Sequence, residues 1–147
     1  MTVLGFDQST TTSGWALFQD NEYRLSGVLK FKEEPEERLC LMADAICERI
    51  DYIKPDKVVI EDIFDNNNVH TLVVLARLQG AIIQYCHKQS IPIDILAPKT
   101  WRKLVGIKGK KRKEVKEEAV QLVADLYGIN VSADEAESIC ITKAAAL

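Results

Sequence analysis

The order of apolar and polar positions predicts three strands near the start of the chain. Residues 2–6 are apolar, a turn rich in Gly, Ser and Thr covers residues 8–14, and a second apolar run follows at residues 15–18. This pattern is typical of two strands joined by a polar hairpin. A third strand is predicted over residues 23–31, where apolar side chains interrupt polar positions.

The next segment changes to the period of a helix. Apolar residues recur at three- and four-residue spacing over residues 35–54, which predicts an amphipathic helix with an acidic start. Residues 58–60 form an apolar run that ends at Glu61, as expected of a buried central strand. Residues 66–68 are asparagines that offer caps for a long helix over residues 69–88. That helix is apolar almost all round, so we expect the sheet and a second subunit to cover it.

The C-terminal half alternates between strand and helix. Residues 91–96 are predicted as the last strand, and a helix over residues 114–127 ends at Gly128. Ser132 and Glu135 form a capping box, which begins a final helix that runs to the C-terminus. Three consecutive strands followed by alternating helices and strands predict an α/β class, with a five-stranded mixed sheet and helices on both faces.

Length and composition agree with a single domain over residues 1–147. The hydrophobic fraction of 47% is enough to build a core. No uninterrupted apolar run approaches the roughly 20 residues of a membrane span, and the N-terminus lacks the features of a signal peptide. We therefore expect a cytoplasmic protein with no membrane partner. Four cysteines without a C-x-x-C pair are predicted to be reduced core residues, namely Cys40, Cys47, Cys86 and Cys140.

Positive charge is concentrated in one segment. The chain has a net charge of -3, but residues 98–116 contain nine lysines and arginines and a single acid, Glu114. A basic block on an acidic chain is typical of contact with a polyanion, and a solvated lysine-rich loop is the alternative. The residues that we expect to contact nucleic acid are Arg102, Lys103, Lys108, Lys110, Lys111, Arg112 and Lys113.

Four acids are predicted to converge. Asp7 ends the first strand and Glu61 ends the fourth, so the two approach each other if these strands are neighbours in the sheet. Asp134 and Glu137 lie at i and i+3 in the first turn of the last helix, and therefore on one helix face. Four carboxylates would repel one another unless a cation lay among them. Such ligands suit Mg²⁺ or Mn²⁺, and two ions about 4 Å apart can activate water and stabilise the leaving oxygen in phosphodiester hydrolysis.

Each acid also has an ordinary structural interpretation. An aspartate at a strand end, such as Asp7, is often a turn or cap residue, and acids in a first helical turn are favoured by the helix dipole alone. Glu61 is harder to explain in this way, because an unpaired charge at the end of a buried strand is costly. The joint placement of the four acids favours a metal site.

Four longer motifs follow one another along nearly the whole chain. They are LGFDQSTTTSGWALF, then VVIEDIFDNNNVHTLVVLARLQGAII, then the segment from Trp101 through Lys113 with its Val-Gly-Ile element, and finally SADEAESICIT. In this order they resemble the RuvC family of Holliday junction resolvases. The resemblance covers the family's first hairpin, its strand, glutamate, aromatic residue and long helix with Arg-x-x-Gly, its basic loop, and its closing acid-x-x-acid helix.

The resemblance implies a ribonuclease H-like fold and a homodimer that binds a four-way DNA junction and makes paired nicks with divalent metal. The implied metal ligands are Asp7, Glu61, Asp134 and Glu137. Lys113 would neutralise the reacting phosphate, and Phe64 would stack near the junction centre, with a core phenylalanine as its alternative. The long helix that begins near Val69 would form the dimer interface, and no small-molecule cofactor is implied.

The sequence departs from the family pattern in two places. Glu137 stands where many members have aspartate, which lengthens the arm of one metal ligand. The loop KGKKRK is richer in lysine than we expect for the family, which favours nonspecific phosphate contact over sequence readout.

Three other functions fit parts of the sequence. The N-terminal hairpin also resembles the phosphate loop of actin-like ATPases and sugar kinases, but those proteins enclose a nucleotide between two such domains and 147 residues supply one. A YqgF-like relative would share the fold and the carboxylates and cleave RNA. A catalytically idle protein would bind junctions without nicking them, although collected acids would oppose the approach of phosphates in a pure binding module.

Overall fold

The structure is a computed structural model that describes residues 1–64 and 68–147. Three strands come first, and strands and helices then alternate before two closing helices. The elements in chain order are β1 (Thr2–Asp7), β2 (Thr12–Gln19), β3 (Glu22–Lys30), α1 (Pro35–Ile53), β4 (Lys57–Glu61), α2 (Val69–Lys88), β5 (Ile93–Leu96), α3 (Pro98–Val105), α4 (Arg112–Tyr127) and α5 (Ala133–Ala146).

Within the described residues, the five strands form one mixed sheet in the order β3-β2-β1-β4-β5. β2 runs antiparallel to both β1 and β3, whereas β4 runs parallel to both β1 and β5. β1 and β4 are therefore central neighbours, and their carboxyl ends lie at the same edge of the sheet. Their continuous apolar sequences suit this position, because a strand covered on both faces buries side chains in both directions.

Helices cover both faces of the sheet, which confirms the predicted α/β class. One core includes Val59 and Trp101 together with residues of α4 and α5, and the other includes Phe6 and Ile60 together with residues of α1 and α2. Val59 and Ile60 are consecutive on β4 and enter opposite cores, as the two-residue period of a strand requires. The central strands are thus held from both sides.

Helix α5 approaches the sheet closely because two strand positions lack side chains. A Cβ atom at Gly5 on β1 would collide with the Thr142 side chain of α5, and one at Gly14 on β2 would collide with the backbone carbonyl of Asp134. Gly14 is also the register partner of Asp7. The two glycines therefore bring the first turn of α5 down onto the end of β1.

The basic segment contains a helix that the sequence analysis does not predict. α3 begins at Pro98 and ends before Gly106, which has a φ of 85° and donates its N–H to the carbonyl oxygens of Arg102 and Lys103. Proline at the first helical position and glycine just after the last are normal helix boundaries. From the sequence, Pro98 was expected only to end a strand and the lysines to form a loop, so both signals of a helix were missed.

The cysteine prediction is wrong at one position. All four cysteines are free thiols, and Cys86 and Cys140 are buried as expected, whereas Cys47 is partly buried and Cys40 is exposed. Cys40 lies on α1 away from the stripe that buries Met42 and Ile46 against the sheet. Cys40 therefore lies outside the core although its neighbours in the sequence are apolar.

Helix α2 is the most apolar surface element. Asn68 caps it by accepting a hydrogen bond from the Thr71 N–H at 3.1 Å, which confirms one predicted cap, while Asn66 and Asn67 lie outside the described residues.

By length and composition alone α2 could cross a membrane. The helix is not an uninterrupted apolar run, since His70, Arg77 and Gln79 lie within it. One such helix is weak evidence, because helices of soluble proteins pass the same test.

Candidate active site

The carboxyl ends of the two central strands place the first pair of acids side by side. Phe6 pairs with Ile60 in the parallel register of β1 and β4, so Asp7 and Glu61 follow at adjacent strand ends. Gln8 joins the two ends: its side-chain Nε2 donates to the Glu61 carbonyl oxygen at 2.7 Å, and the Glu61 N–H donates to its Oε1 at 3.3 Å. Gln8 is buried. This paired contact fixes the backbone of Glu61 relative to that of Asp7.

The first turn of α5 brings the second pair of acids. Ser132 caps the helix by accepting a hydrogen bond from the Glu135 N–H at 3.3 Å, which confirms the predicted helix start. The Glu135 carboxylate accepts a hydrogen bond from the Ser26 hydroxyl at 2.6 Å, so it ties α5 to β3. Asp134 and Glu137 are left to face the end of β1, where the close packing of Gly14 brings them near Asp7.

The pKa of Asp7 is affected by the other three acids. Burial raises this pKa well above the ordinary range, and the negative charges of Glu137, Glu61 and Asp134 raise it further, together with a hydrogen bond to the Glu137 carboxyl. Each of the other three predicted ligands therefore acts on Asp7. Such mutual repulsion favours either a shared proton or a bound cation.

The pKa of Glu61 reflects opposing effects. Burial raises it most, a hydrogen bond from Trp101 lowers it, the charge of Glu137 raises it, and the charges of Arg102 and Arg112 lower it. The net direction is upward. The Glu61 carboxylate is thus within electrostatic reach of both Glu137 and two cationic side chains of the basic segment.

A cleft of about 210 Å³ opens over the acids. It is lined by Asp7, Glu61 and Asp134, by Arg112 at the start of α4, and by Phe64. We call this depression, together with Glu137, whose charge raises the pKa of Asp7, the acidic cleft. Phe64 is 52% exposed, so the alternative of a core phenylalanine is excluded. An aromatic ring at the rim of a cleft is available for stacking on a planar group.

The donor set of the acidic cleft fits a hard divalent ion, since four carboxylates are oxygen ligands of the kind that Mg²⁺ and Mn²⁺ prefer. In the part of the chain that the structure describes, no group of three or more His, Cys, Asp or Glu side chains is already arranged to hold a metal ion. The charges of Glu137, Glu61 and Asp134 raise the pKa of Asp7. Binding of an ion would therefore require these carboxylates to draw together around it.

The predicted basic residues divide between two places. Arg102, Lys103, Lys108 and Lys110 line a second depression together with Lys99, which we call the basic groove. Arg112 lines the acidic cleft. Lys111 and Lys113 are exposed at the start of α4 and line neither of these depressions. The role implied for Lys113 at the reacting phosphate stays a prediction, and its neighbour Arg112 lines the acidic cleft.

Three polar contacts that support these surfaces were missed by sequence reasoning. Gln8 joins the strand ends, the buried Trp101 indole donates to Glu61, and Glu118 accepts hydrogen bonds from the N–H groups of Lys108 and Gly109 at 3.2 and 2.6 Å. Glu118 thereby fixes the turn that carries the lysines. Local patterns do not reveal these contacts, because each joins residues that become neighbours only in the folded chain.

This chain is similar to known proteins over nearly its whole length. The sequence model of the family described as crossover junction endodeoxyribonuclease RuvC matches residues 3–144. The chain belongs to the RuvC family. Curated RuvC relatives align over almost its full length, including the protein of Rickettsia akari at 29% identity, covering 96% of this chain and 94% of the relative. The protein of Thermomicrobium roseum is 25% identical, and the alignment covers 96% of this chain and 90% of the relative.

Solved structures share the fold. Thermus thermophilus RuvC in complex with a Holliday junction substrate superposes with a TM-score of 0.79 at 17% identity, covering 98% of this chain and 91% of that one. The Fowlpox virus resolvase, also solved with Holliday junction DNA, gives a TM-score of 0.69 at 12% identity and covers 99% and 97%. The family match and these neighbours confirm the predicted resemblance to RuvC and the ribonuclease H-like fold.

Proposed function

We propose that this RuvC family member is a structure-selective endodeoxyribonuclease that resolves Holliday junctions and other branched DNA by paired nicks in recombination and DNA processing. The observation that carries the proposal is the convergence of Glu61, Asp134 and Glu137 on Asp7 in a cleft that also holds Arg112. Relatives over nearly the whole chain are crossover junction endodeoxyribonucleases. We place its action in the cytoplasm, where bacterial DNA or phage DNA is processed.

The acidic cleft is proposed to hold Mg²⁺ or Mn²⁺, with two ions per site. When bound, these ions activate water and stabilise the leaving oxygen of phosphodiester hydrolysis. Asp7, Glu61, Asp134 and Glu137 would hold them, and Gln8 keeps the backbone of Glu61 beside that of Asp7. Arg112 faces the same cleft and would offset the negative charge of the reacting phosphate, a role that the resemblance assigned to Lys113.

The basic groove and the exposed lysines near it are proposed to contact the DNA backbone. Arg102, Lys103, Lys108 and Lys110 share one concave surface, and Lys111 and Lys113 are exposed beside it. Cations of this kind bind phosphates without reading bases. Phe64 is proposed to stack on a base near the junction centre, since it is exposed at the rim of the cleft.

Helix α2 is proposed to form the interface of a homodimer. Leu78, Ile82 and Cys86 are buried against the sheet, but Val69 and Val73 are 69% and 39% exposed. Apolar side chains left in water on a helix this long favour burial against a second copy. A Val73→Arg variant should sediment as a monomer where the wild type sediments as a dimer. A monomeric wild type at the same concentration would contradict the proposal.

The test of the proposed function is cleavage of a synthetic four-way junction beside a linear duplex of the same sequence, each with Mg²⁺, Mn²⁺ or a chelator. We expect metal-dependent paired nicks confined to the junction. Equal cutting of both substrates would instead identify a general nuclease, and junction binding without cutting in either metal would favour an idle binding protein. A structured RNA added as a third substrate separates the DNA enzyme from a YqgF-like RNA nuclease.

A further inference from the structure

The carboxylate of Glu61 has a second anchor besides the backbone contact of Gln8. The indole Nε1 of Trp101 donates a hydrogen bond to Glu61 Oε2 at 2.5 Å. Trp101 is fully buried, and its ring belongs to the core on the α5 face. Its hydrogen-bonding atom is therefore held by packing and aimed at the side chain of a predicted metal ligand.

The fold explains why this tryptophan reaches Glu61. Glu61 pairs with Leu96 at the end of the parallel strands β4 and β5, and α3 begins two residues later at Pro98. Trp101 lies in the first turns of α3, which passes beside the same strand end. The guanidinium of Arg102 lies 5.5 Å from the Trp101 ring centroid. Near the start of the basic segment, the uncharged indole N–H of Trp101 therefore links the core to the acidic cleft.

The hydrogen bond restricts what the Glu61 side chain can do. Gln8 fixes the backbone of Glu61 through two hydrogen bonds, and Trp101 fixes its side-chain Oε2 through a third. A glutamate that is free at its tip loses rotamer entropy when it binds an ion, whereas a glutamate already held loses less. Groups that orient a metal ligand in this way commonly contribute 10- to 100-fold to metal affinity or activity.

We propose that Trp101 is a positioning residue for metal binding: its indole N–H holds Glu61 in the orientation from which the carboxylate binds the divalent ion. The inference rests on the proposed function, because it requires that the acidic cleft binds metal. Trp101 touches neither DNA nor the ion in this account. It acts through Glu61 alone.

The first test is calorimetric titration of Mg²⁺ and of Mn²⁺ into DNA-free protein stripped with chelator. Trp101→Phe keeps an aromatic ring in the core and removes the indole N–H donor together with some ring volume. We expect its metal affinity to fall at least about 10-fold, and the metal concentration for half-maximal junction cleavage to rise in parallel, with the KM for the junction unchanged. Unchanged metal affinity in a folded Trp101→Phe protein would overturn the proposal.

Trp15→Phe is the matched control. Trp15 is also buried, at 6% exposure, but it packs in the opposite core with Arg49 over its ring at 4.4 Å. Both variants lose the same atoms from a core and should lose thermal stability. A purely structural role for Trp101 predicts the same metal affinity in the two variants, and the positioning role predicts a loss only in Trp101→Phe.

A second measurement does not depend on any variant at position 101 folding. The chain has two tryptophans, so a proton–nitrogen correlation spectrum contains two indole N–H signals, and Trp15→Phe assigns them. Adding Mg²⁺ to the wild type should shift the Trp101 signal and leave the Trp15 signal in place. A Trp101 signal that stays fixed while calorimetry shows metal binding would overturn this inference alone. A wild type that binds no metal would overturn it together with the proposed function.

Discussion

The acidic cleft and the basic groove lie next to each other and are built in opposite ways. The acids of the cleft sit at the ends of two buried strands and in the first turn of a helix that packs on the sheet through Gly5 and Gly14. The cations of the groove sit on α3 and on a turn that Glu118 fixes through backbone hydrogen bonds. The first site is positioned by the core, and the second is positioned by a surface helix and a turn.

Under the proposed function, this difference separates the groups that cleave DNA from the groups that bind it. Carboxylates that must act on one ion need fixed positions, and burial that raises the pKa of Asp7 is the cost of fixing them. Cations that follow a phosphate backbone tolerate movement, because their attraction to DNA falls off gradually with distance. A change in the cleft should therefore affect the rate, and a change in the groove should affect the affinity.

The largest expected effect comes from Asp7→Asn. The substitution removes a metal ligand and one of four repelling charges, so cleavage of a four-way junction should fall below detection while junction binding is retained or improved. Single-turnover cleavage and a gel-shift titration measure the two quantities. Loss of both would mean that Asp7 holds the fold, and far-UV circular dichroism of the variant would show it.

The next effect distinguishes two neighbouring cations. Arg112→Ala should lower the cleavage rate about 100- to 1000-fold, in the range found for groups that stabilise transition-state charge, because Arg112 lines the acidic cleft. Lys113→Ala is the matched control, one residue away on α4, and should change the rate only a few-fold. The opposite ranking would restore Lys113 to the role that the family resemblance implies.

A double substitution in the lysine-rich turn should alter binding rather than rate. Lys110→Ala with Lys111→Ala should weaken binding to junction and to duplex alike, and should lower the slope of log affinity against log salt by roughly 2, since each phosphate contact contributes about 0.9. The cleavage rate at saturating protein should be nearly unchanged. An unchanged salt slope would remove this turn from the DNA contact surface.

The smallest effect concerns stability without metal. The folded state raises the pKa of Asp7, so it binds the proton more tightly than the unfolded state does. Stability should therefore be highest below the unfolded pKa and should fall as the pH rises through the higher folded pKa. In chelator, Asp7→Asn should raise Tm by several degrees at pH 7.5 and by less at pH 4.5. An equal gain at both pH values would show that the raised pKa is not its cause.

The sequence predicts the cleft better than the groove for the same physical reason. Buried strands and an amphipathic helix leave periodic apolar patterns, so the ends of β1 and β4 and the start of α5 could be located, and with them Asp7, Glu61, Asp134 and Glu137. Helix α3 is short and carries three basic residues and a threonine, all exposed or partly exposed, so its charge obscured its period. The Trp101–Glu61 hydrogen bond joins residues 40 positions apart and leaves no local pattern.

The most direct test of the central claim uses a supercoiled plasmid that extrudes a cruciform. With Mg²⁺ or Mn²⁺, a resolvase that makes paired nicks should convert it directly to linear DNA, and a plasmid without the cruciform should stay supercoiled. Chelator or Asp7→Asn should leave both plasmids intact. Cutting that persists in chelator, or that proceeds equally on the plasmid without a cruciform, would contradict the account of the four acids as a metal-dependent, junction-selective active site.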